Sequence, residues 1–175
     1  QRELAEPRGP LALEEGIVSS RGDTQQVLLK ALCLARAVDC RPENAPFITD
    51  EPDAALAGYL ADPSARLLIW EVGGTLSGYA LFCQIGEASG AVELRRLALA
   101  GAGQGRGQDF LRTLLNYGFE ELNAARVWLD ASAENPRAMR TYERAGFTLE
   151  GRLRQHWYRP ALGRVVDLML FGMLR

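Results

Sequence analysis

The chain has 175 residues, of which 47% are hydrophobic and 24% charged, and its formal net charge is −2. That is the size and make-up of one soluble domain with a sizeable core, and it lacks the global basic field that non-specific nucleic-acid binders use. No apolar run reaches the roughly eighteen residues of a membrane span. A lone histidine, His156, rules out a His-rich metal site, and Cys33, Cys40 and Cys83 fall outside any CxxC spacing, so reduced thiols in a cytoplasmic protein without a metal are expected.

Residues 1–10, with Pro7, Gly9 and Pro10, read as a flexible lead-in, and 11–175 as a single domain. Arg21-Gly22-Asp23 has a local role: Asp23, with Gln26 three residues on, makes a capping box for a helix carrying Val27, Leu28, Ala31, Leu32, Ala35 and Val38. A second helix is expected over about 51–61, with Pro52 in its first turn. The period then changes. Arg66 to Val72 reads as a strand, Gly73-Gly74 as a tight turn, Leu76 to Ile85 as the partner strand, and Val92 to Leu99 as a third strand after the Gly86–Gly90 turn. From Gly105 a helical stripe runs through Phe110, Leu111, Leu114, Leu115, Gly118, Phe119 and Leu122. Arg126 to Ala131 is a strand. Asn135-Pro136 opens a helix, with Asn as cap and Pro in the first turn, and Gly146 closes it. Strands at Phe147–Leu153 and Val165–Leu174 complete an α/β fold: one sheet holding a strand–helix–strand unit, with helices on both faces.

The most visible motif is Ala100-Gly101-Ala102-Gly103-Gln104-Gly105-Arg106-Gly107, between a strand and a helix. Glycines at alternate positions let backbone N–H groups converge on an anion, and the helix N-terminus adds its own donors and dipole. A P-loop fails, because Gly107 is followed by Gln108-Asp109 and not by lysine and a hydroxyl. A Rossmann fingerprint fails too, because three antiparallel strands precede the glycines.

From Arg66 to Arg175 the chain resembles the GNAT N-acetyltransferases. The glycine loop is similar to that family's Arg/Gln-x-x-Gly-x-Gly/Ala signature. The stretch from Arg126-Val-Trp-Leu-Asp130 through Glu134-Asn-Pro-Arg-Ala138 to Tyr142-Glu-Arg-Ala-Gly-Phe147 looks like its second hallmark block. Glu150-Gly-Arg-Leu-Arg154 and Gly163-Arg-Val-Val-Asp167 resemble the branch typified by the ribosomal-protein N-terminal acetyltransferases, RimJ/RimL-like. One departure stands: in the register that keeps the helix without a gap, Ala102 occupies the signature's first position. Sliding by two puts Gln104 there but sets Asp109 where a small residue belongs.

The resemblance implies a central, mostly antiparallel mixed sheet of six to seven strands. It also implies acetyl-CoA as co-substrate and a primary amine as acceptor, either a protein N-terminus or a small amine, attacking directly in a ternary complex. The pyrophosphate would rest on Gly103, Gln104, Gly105, Arg106, Gly107 and Gln108, the pantetheine would pair with Leu97, Ala98 and Leu99, and Asn135 would contact the cofactor side. Tyr142 would protonate the departing thiolate, with core packing as its competing role. Glu93 leads the candidates for the base, with a salt bridge to Arg95 as its alternative. Asp130 and Glu134 follow, and deprotonation through water needs no single base. His156 would line the acceptor pocket or sit on the surface. A catalytically silent module that binds acyl-CoA or a partner is the rival reading. A homodimer through exposed strand edges or the C-terminal strand is compatible with the chain.

Overall fold

The structure is a computed structural model that describes residues 17–19, 24–38, 41, 44, 46–48, 52–101 and 106–175. The lead-in 1–10, the Arg21–Asp23 capping segment and residues 102–105 of the glycine stretch lie outside the described residues.

All described strands belong to one sheet: β1 (Ile17–Ser19), β2 (Arg66–Val72), β3 (Thr75–Cys83), β4 (Ala91–Leu99), β5 (Arg126–Ser132), β6 (Thr148–Arg159) and β7 (Arg164–Leu174). Their spatial order is β1-β2-β3-β4-β5-β7-β6, and only β4 and β5 run parallel. Gly73 and Gly74 both have positive φ, which gives the β2–β3 turn the twist that a two-residue hairpin needs.

Alternation along the strands feeds two cores. Leu67, Ile69, Tyr79 and Leu81 face α1 (Thr24–Val38) and α2 (Asp53–Ala61), meeting Val27, Ala31, Leu34, Val38 and Leu56. Leu68, Trp70, Ala80, Phe82, Val92 and Leu94 face α3 (Gly107–Asn116) and α4 (Pro136–Ala145), meeting Phe110, Leu111, Leu114 and Tyr142. Trp70 stacks on Phe110 at 4.7 Å, an arrangement worth about 0.5–1.5 kcal/mol beyond the area it buries.

Four elements differ from the sequence reading. The three-residue β1 has too short a pattern to announce itself. Pro52 is the N-cap of α2, not a first-turn residue. The helix expected from Gly105 to Leu122 is α-helical over Gly107–Asn116 and passes into a π-helical turn at Tyr117–Glu121. There Gly118 lies so close to the sheet that an added Cβ would come within 3.1 Å of Val127. The strand expected to stop at Leu153 continues to Arg159 as β6, because its alternation is interrupted and not ended. Leu153 pairs with Leu168 and Trp157 with Val166, so Arg154, Gln155 and His156 stand opposite Asp167 alone. The Asp167 carboxylate closes this wide bulge by accepting from the Gln155 N–H (2.7 Å) and the Arg152 Nε (2.6 Å).

Candidate active site

The site begins where the sheet splits. β4 and β5 pair only at Ala91–Arg126, Val92–Val127 and Glu93–Trp128. Beyond that rung β4 runs to Leu99 paired with β3 alone, and β5 runs to Ser132 paired with β7 alone. The cause is local. Leu81 pairs with Arg96 but Phe82 with Leu94, so Arg95 is an extra residue in β4, and a bulge of this kind bends its strand. The result is a cleft of about 750 Å³ lined by Glu93 to Leu99 on one side and Asp130 to Ser132 on the other. Along it β4 presents an edge of peptide groups with no strand opposite, able to pair with an extended amide-containing ligand.

One end of the cleft is cationic and rich in donors. Gly101, Arg106, Gly107 and Gln108 line it, with Gly107 opening α3. Gln108 is tied down by donating to the Thr141 carbonyl (2.9 Å). From α4 come Asn135, Arg137, Ala138, Thr141 and Arg144. Asn135 caps α4, its Oδ1 accepting from the Ala138 N–H at 3.1 Å, and it lines the cleft as well. Leu97, Ala98 and Leu99 lie along the same wall; Gly103, Gln104 and Gly105 are outside the described residues. The sequence reading missed Arg137 and Arg144. Their spacing of seven, two helical turns, could have revealed a shared face.

The middle of the cleft holds the groups able to move protons. Tyr142 is 9% exposed and lines the cleft from α4, its ring edge-on to Phe147 and Phe171. Burial, with the nearby Asp130 charge, pushes its phenol well above the ordinary value, so it stays protonated as a donor. Glu93 is 8% exposed, and its carboxylate accepts a bidentate pair of bonds from Arg95 (2.7 and 3.1 Å to Oε2). Asp130 is open to the cleft, yet the surrounding walls displace enough water to raise its carboxyl above the ordinary value. The Glu93 charge adds to this, and His156 and Arg95 oppose it. Glu134, by contrast, is taken up by Arg164 (2.5 and 2.7 Å), which holds its carboxyl low, and it does not line the cleft.

The rest of the lining comes from Val38, Asn44, Phe47 and Ile48, in α1 and the segment after it, and from His156 and Trp157 of β6. The bulge built on Asp167 is what carries His156 into this lining. Among the described residues no cysteine lines the cleft: Cys83 is buried and Cys33 lies on α1, both as free thiols. Among the described residues no group of three His, Cys, Asp or Glu is placed to hold a metal ion, and no helix is long and apolar enough to cross a membrane.

The Acetyltransferase (GNAT) family matches residues 34–147. N-alpha-acetyltransferase RimI of Mycobacterium tuberculosis is 33% identical over 143 residues, covering 78% of this chain and 87% of that protein. Spermidine N(1)-acetyltransferase of Vibrio cholerae is 39% identical over 57 residues, covering 30% of this chain and 33% of that protein. Among solved structures, the Vibrio cholerae spermidine N-acetyltransferase in complex with CoA and spermine superposes with a TM-score of 0.66 at 23% identity, over 90% of this chain and 95% of that one. A dodecameric structure of the Vibrio cholerae enzyme gives a TM-score of 0.68 at 21% identity, over 91% and 93% of the two chains.

Proposed function

The chain belongs to the GNAT acetyltransferase family and is an acetyl-CoA-dependent N-acetyltransferase, and we propose that the split between β4 and β5 is where an amine attacks the thioester directly. The observation that carries this is the split itself. It leaves the Leu97–Leu99 edge unpaired on the β5 side, which supports pairing with the amide-bearing pantetheine arm, and Tyr142, Glu93 and Asp130 line the same cleft.

Arg106, Gly107 and Gln108, with the neighbouring Gly103, Gln104 and Gly105, hold the pyrophosphate, and Arg137 and Arg144 add charge for the remaining phosphate. Asn135 orients the cofactor side while it caps α4. In the reaction the ammonium gives up one proton, the neutral nitrogen forms a bond to the acetyl carbon and the carbon–sulfur bond breaks; a second proton then leaves nitrogen and replaces the one that Tyr142 delivers to sulfur. The Glu93–Asp130 pair receives the ammonium, and Asp130, its carboxyl raised by burial and by the Glu93 charge, takes the first proton. The Glu93 carboxylate, paired with Arg95, adds the nearby negative charge that helps keep Asp130 basic. Tyr142 donates its phenolic proton to the departing thiolate. The acceptor is a primary amine, either a peptide N-terminus, as the RimI name states for that relative, or a polyamine, as the spermidine enzymes' names state for theirs. The free thiols support a cytoplasmic setting, and the exposed edge of β6 offers a surface for self-association.

Initial rates test the direct attack, with acetyl-CoA varied against an alanine-initiated peptide and against spermine. Intersecting double-reciprocal lines and no acetylated protein after incubation with acetyl-CoA alone are expected. Parallel lines with a trapped acetyl-protein would overturn it.

A further inference from the structure

Arg159, the last residue of β6, is 1% exposed and is the one arginine among the buried polar side chains of the described residues. Its Nε donates to the Pro46 carbonyl and one terminal nitrogen to the Ile48 carbonyl, both at 2.9 Å. Its guanidinium carbon lies 3.9 Å from the centre of the Trp157 ring. The planar fork thus grips two carbonyls that flank Phe47 while its face rests on an indole, a combination lysine cannot reproduce. Phe47, Ile48 and Trp157 all line the cleft. The same segment is tied down at its start, where Arg41 donates to the Ala37 (2.7 Å) and Ala100 (3.1 Å) carbonyls and Asn44 donates to the Val38 carbonyl (2.7 Å).

We propose that Arg159 is a positioning residue for the acceptor: it latches the segment between α1 and α2 to the end of β6, and so sets Phe47 and Ile48 beside Trp157 as the apolar wall against which the acceptor's substituent packs. Arg159 touches neither acetyl-CoA nor the reacting atoms in this account. Phe47 and Ile48 follow α1, which packs on the face of the sheet opposite α3 and α4. Of these, α3 begins beside Arg106 and α4 carries Arg137 and Arg144, so loss of the latch changes acceptor affinity and leaves cofactor affinity alone. The kinetic part rests on the N-acetyltransferase reading; the latch itself does not.

The test uses the full chain with Arg159→Met, which keeps the length and removes both bonds, and Arg159→Lys, which keeps the charge but not the fork. Hydrogen–deuterium exchange is followed over 41–48, and CoA affinity is measured by titration. KM is measured for an alanine-initiated peptide and for spermine, on whichever probe the parent protein acetylates. In Arg159→Met, exchange over 41–48 quickens and acceptor KM rises, each by about tenfold as expected for lost bonds to a charged group. CoA affinity and exchange in α3 and α4 stay within about twofold, and Arg159→Lys falls between Met and the parent. Unchanged exchange over 41–48 would overturn the latch. Faster exchange with unchanged acceptor KM, equal losses in CoA and acceptor binding, or unfolding of both variants would overturn the positioning role. If the parent acetylates neither probe, the acceptor reading fails, and exchange still decides the latch.

Discussion

Glu93 and Trp128 form the last rung of pairing between β4 and β5. One residue further along β4 comes Leu94 and then the bulged Arg95, and from there the two strands never meet again. The backbone irregularity that opens the cleft therefore also places a carboxylate at its apex and the arginine that pairs with it beside it. Asp130 enters the same space from β5, two residues past the rung. The geometry of the split and the chemistry of the apex come from the same few residues.

Tyr142→Phe separates acid catalysis from packing, because it removes the hydroxyl and keeps the ring contacts with Phe147 and Phe171. As a proton donor Tyr142 contributes about 10²–10⁴ to turnover. We expect kcat to fall within that range while CoA affinity and the thermal midpoint hold. An unchanged kcat would reduce Tyr142 to a core residue.

The two carboxylates are distinguished by pH. Asp130 accepts a proton only when ionised, so kcat/KM falls as pH drops through its raised pKa. The Glu93 charge is one cause of that rise. Glu93→Gln therefore keeps substantial turnover and moves the acid limb to lower pH, while Asp130→Asn lowers kcat about 10²–10⁴-fold. Loss of turnover in Glu93→Gln, with none in Asp130→Asn, would return the base to Glu93. Stability moves the other way. A carboxyl whose folded pKa is raised stabilises the fold below its unfolded pKa and loses that contribution as pH rises through the folded one. Asp130→Asn should thus melt slightly higher than the parent at neutral pH, an effect muted because Asp130 is open to water.

Much of this was readable from local chemistry. Asn135-Pro136 and Gly146 bracket α4 as cap and stop, since those residues act on their own neighbours. The inward spacing of Ala138, Met139 and Tyr142 then follows from the helical period. What stayed hidden acts at a distance. Arg159 bonds to a carbonyl 113 residues away. The bulge that carries His156 depends on Asp167 in the next strand, so the stretch from Arg154 looked like the end of a strand. Glu93 could be placed beside Arg95 from alternation, but its proximity to Asp130 needs the parallel register.

Gly78 and Gly172 both stand where a side chain would collide, with different consequences. A Cβ at Gly78 would lie 2.7 Å from the Ala98 carbonyl oxygen, in the backbone of the strand that lines the cleft. Gly78→Ala should destabilise by about 1–3 kcal/mol, the usual cost of overpacking, and weaken CoA binding as β4 is displaced. At Gly172 the collision is with the far ends of Arg126 and Glu150, whose ion pair crosses over it. These side chains can swing away, so Gly172→Ala should cost no more than about 1 kcal/mol. Urea titrations of both variants check the ordering.

Arg137 and Arg144 should govern cofactor affinity without touching chemistry. Each change to Ala is expected to weaken CoA about two- to tenfold, with kcat at saturating acetyl-CoA unchanged. Added salt should narrow the difference from the parent as it screens the charge. A fall in kcat at saturation would move these residues toward the reacting centre.

The most direct test of the account is one incubation of the purified chain with acetyl-CoA and a panel of peptides and polyamines, read by mass spectrometry alongside free thiol. Transfer in the cleft predicts an acetylated amine and released CoA thiol in equal amounts, both abolished or strongly reduced by Asp130→Asn. CoA binding with no acetylated acceptor anywhere in the panel would contradict it and leave a binding module in place of an enzyme.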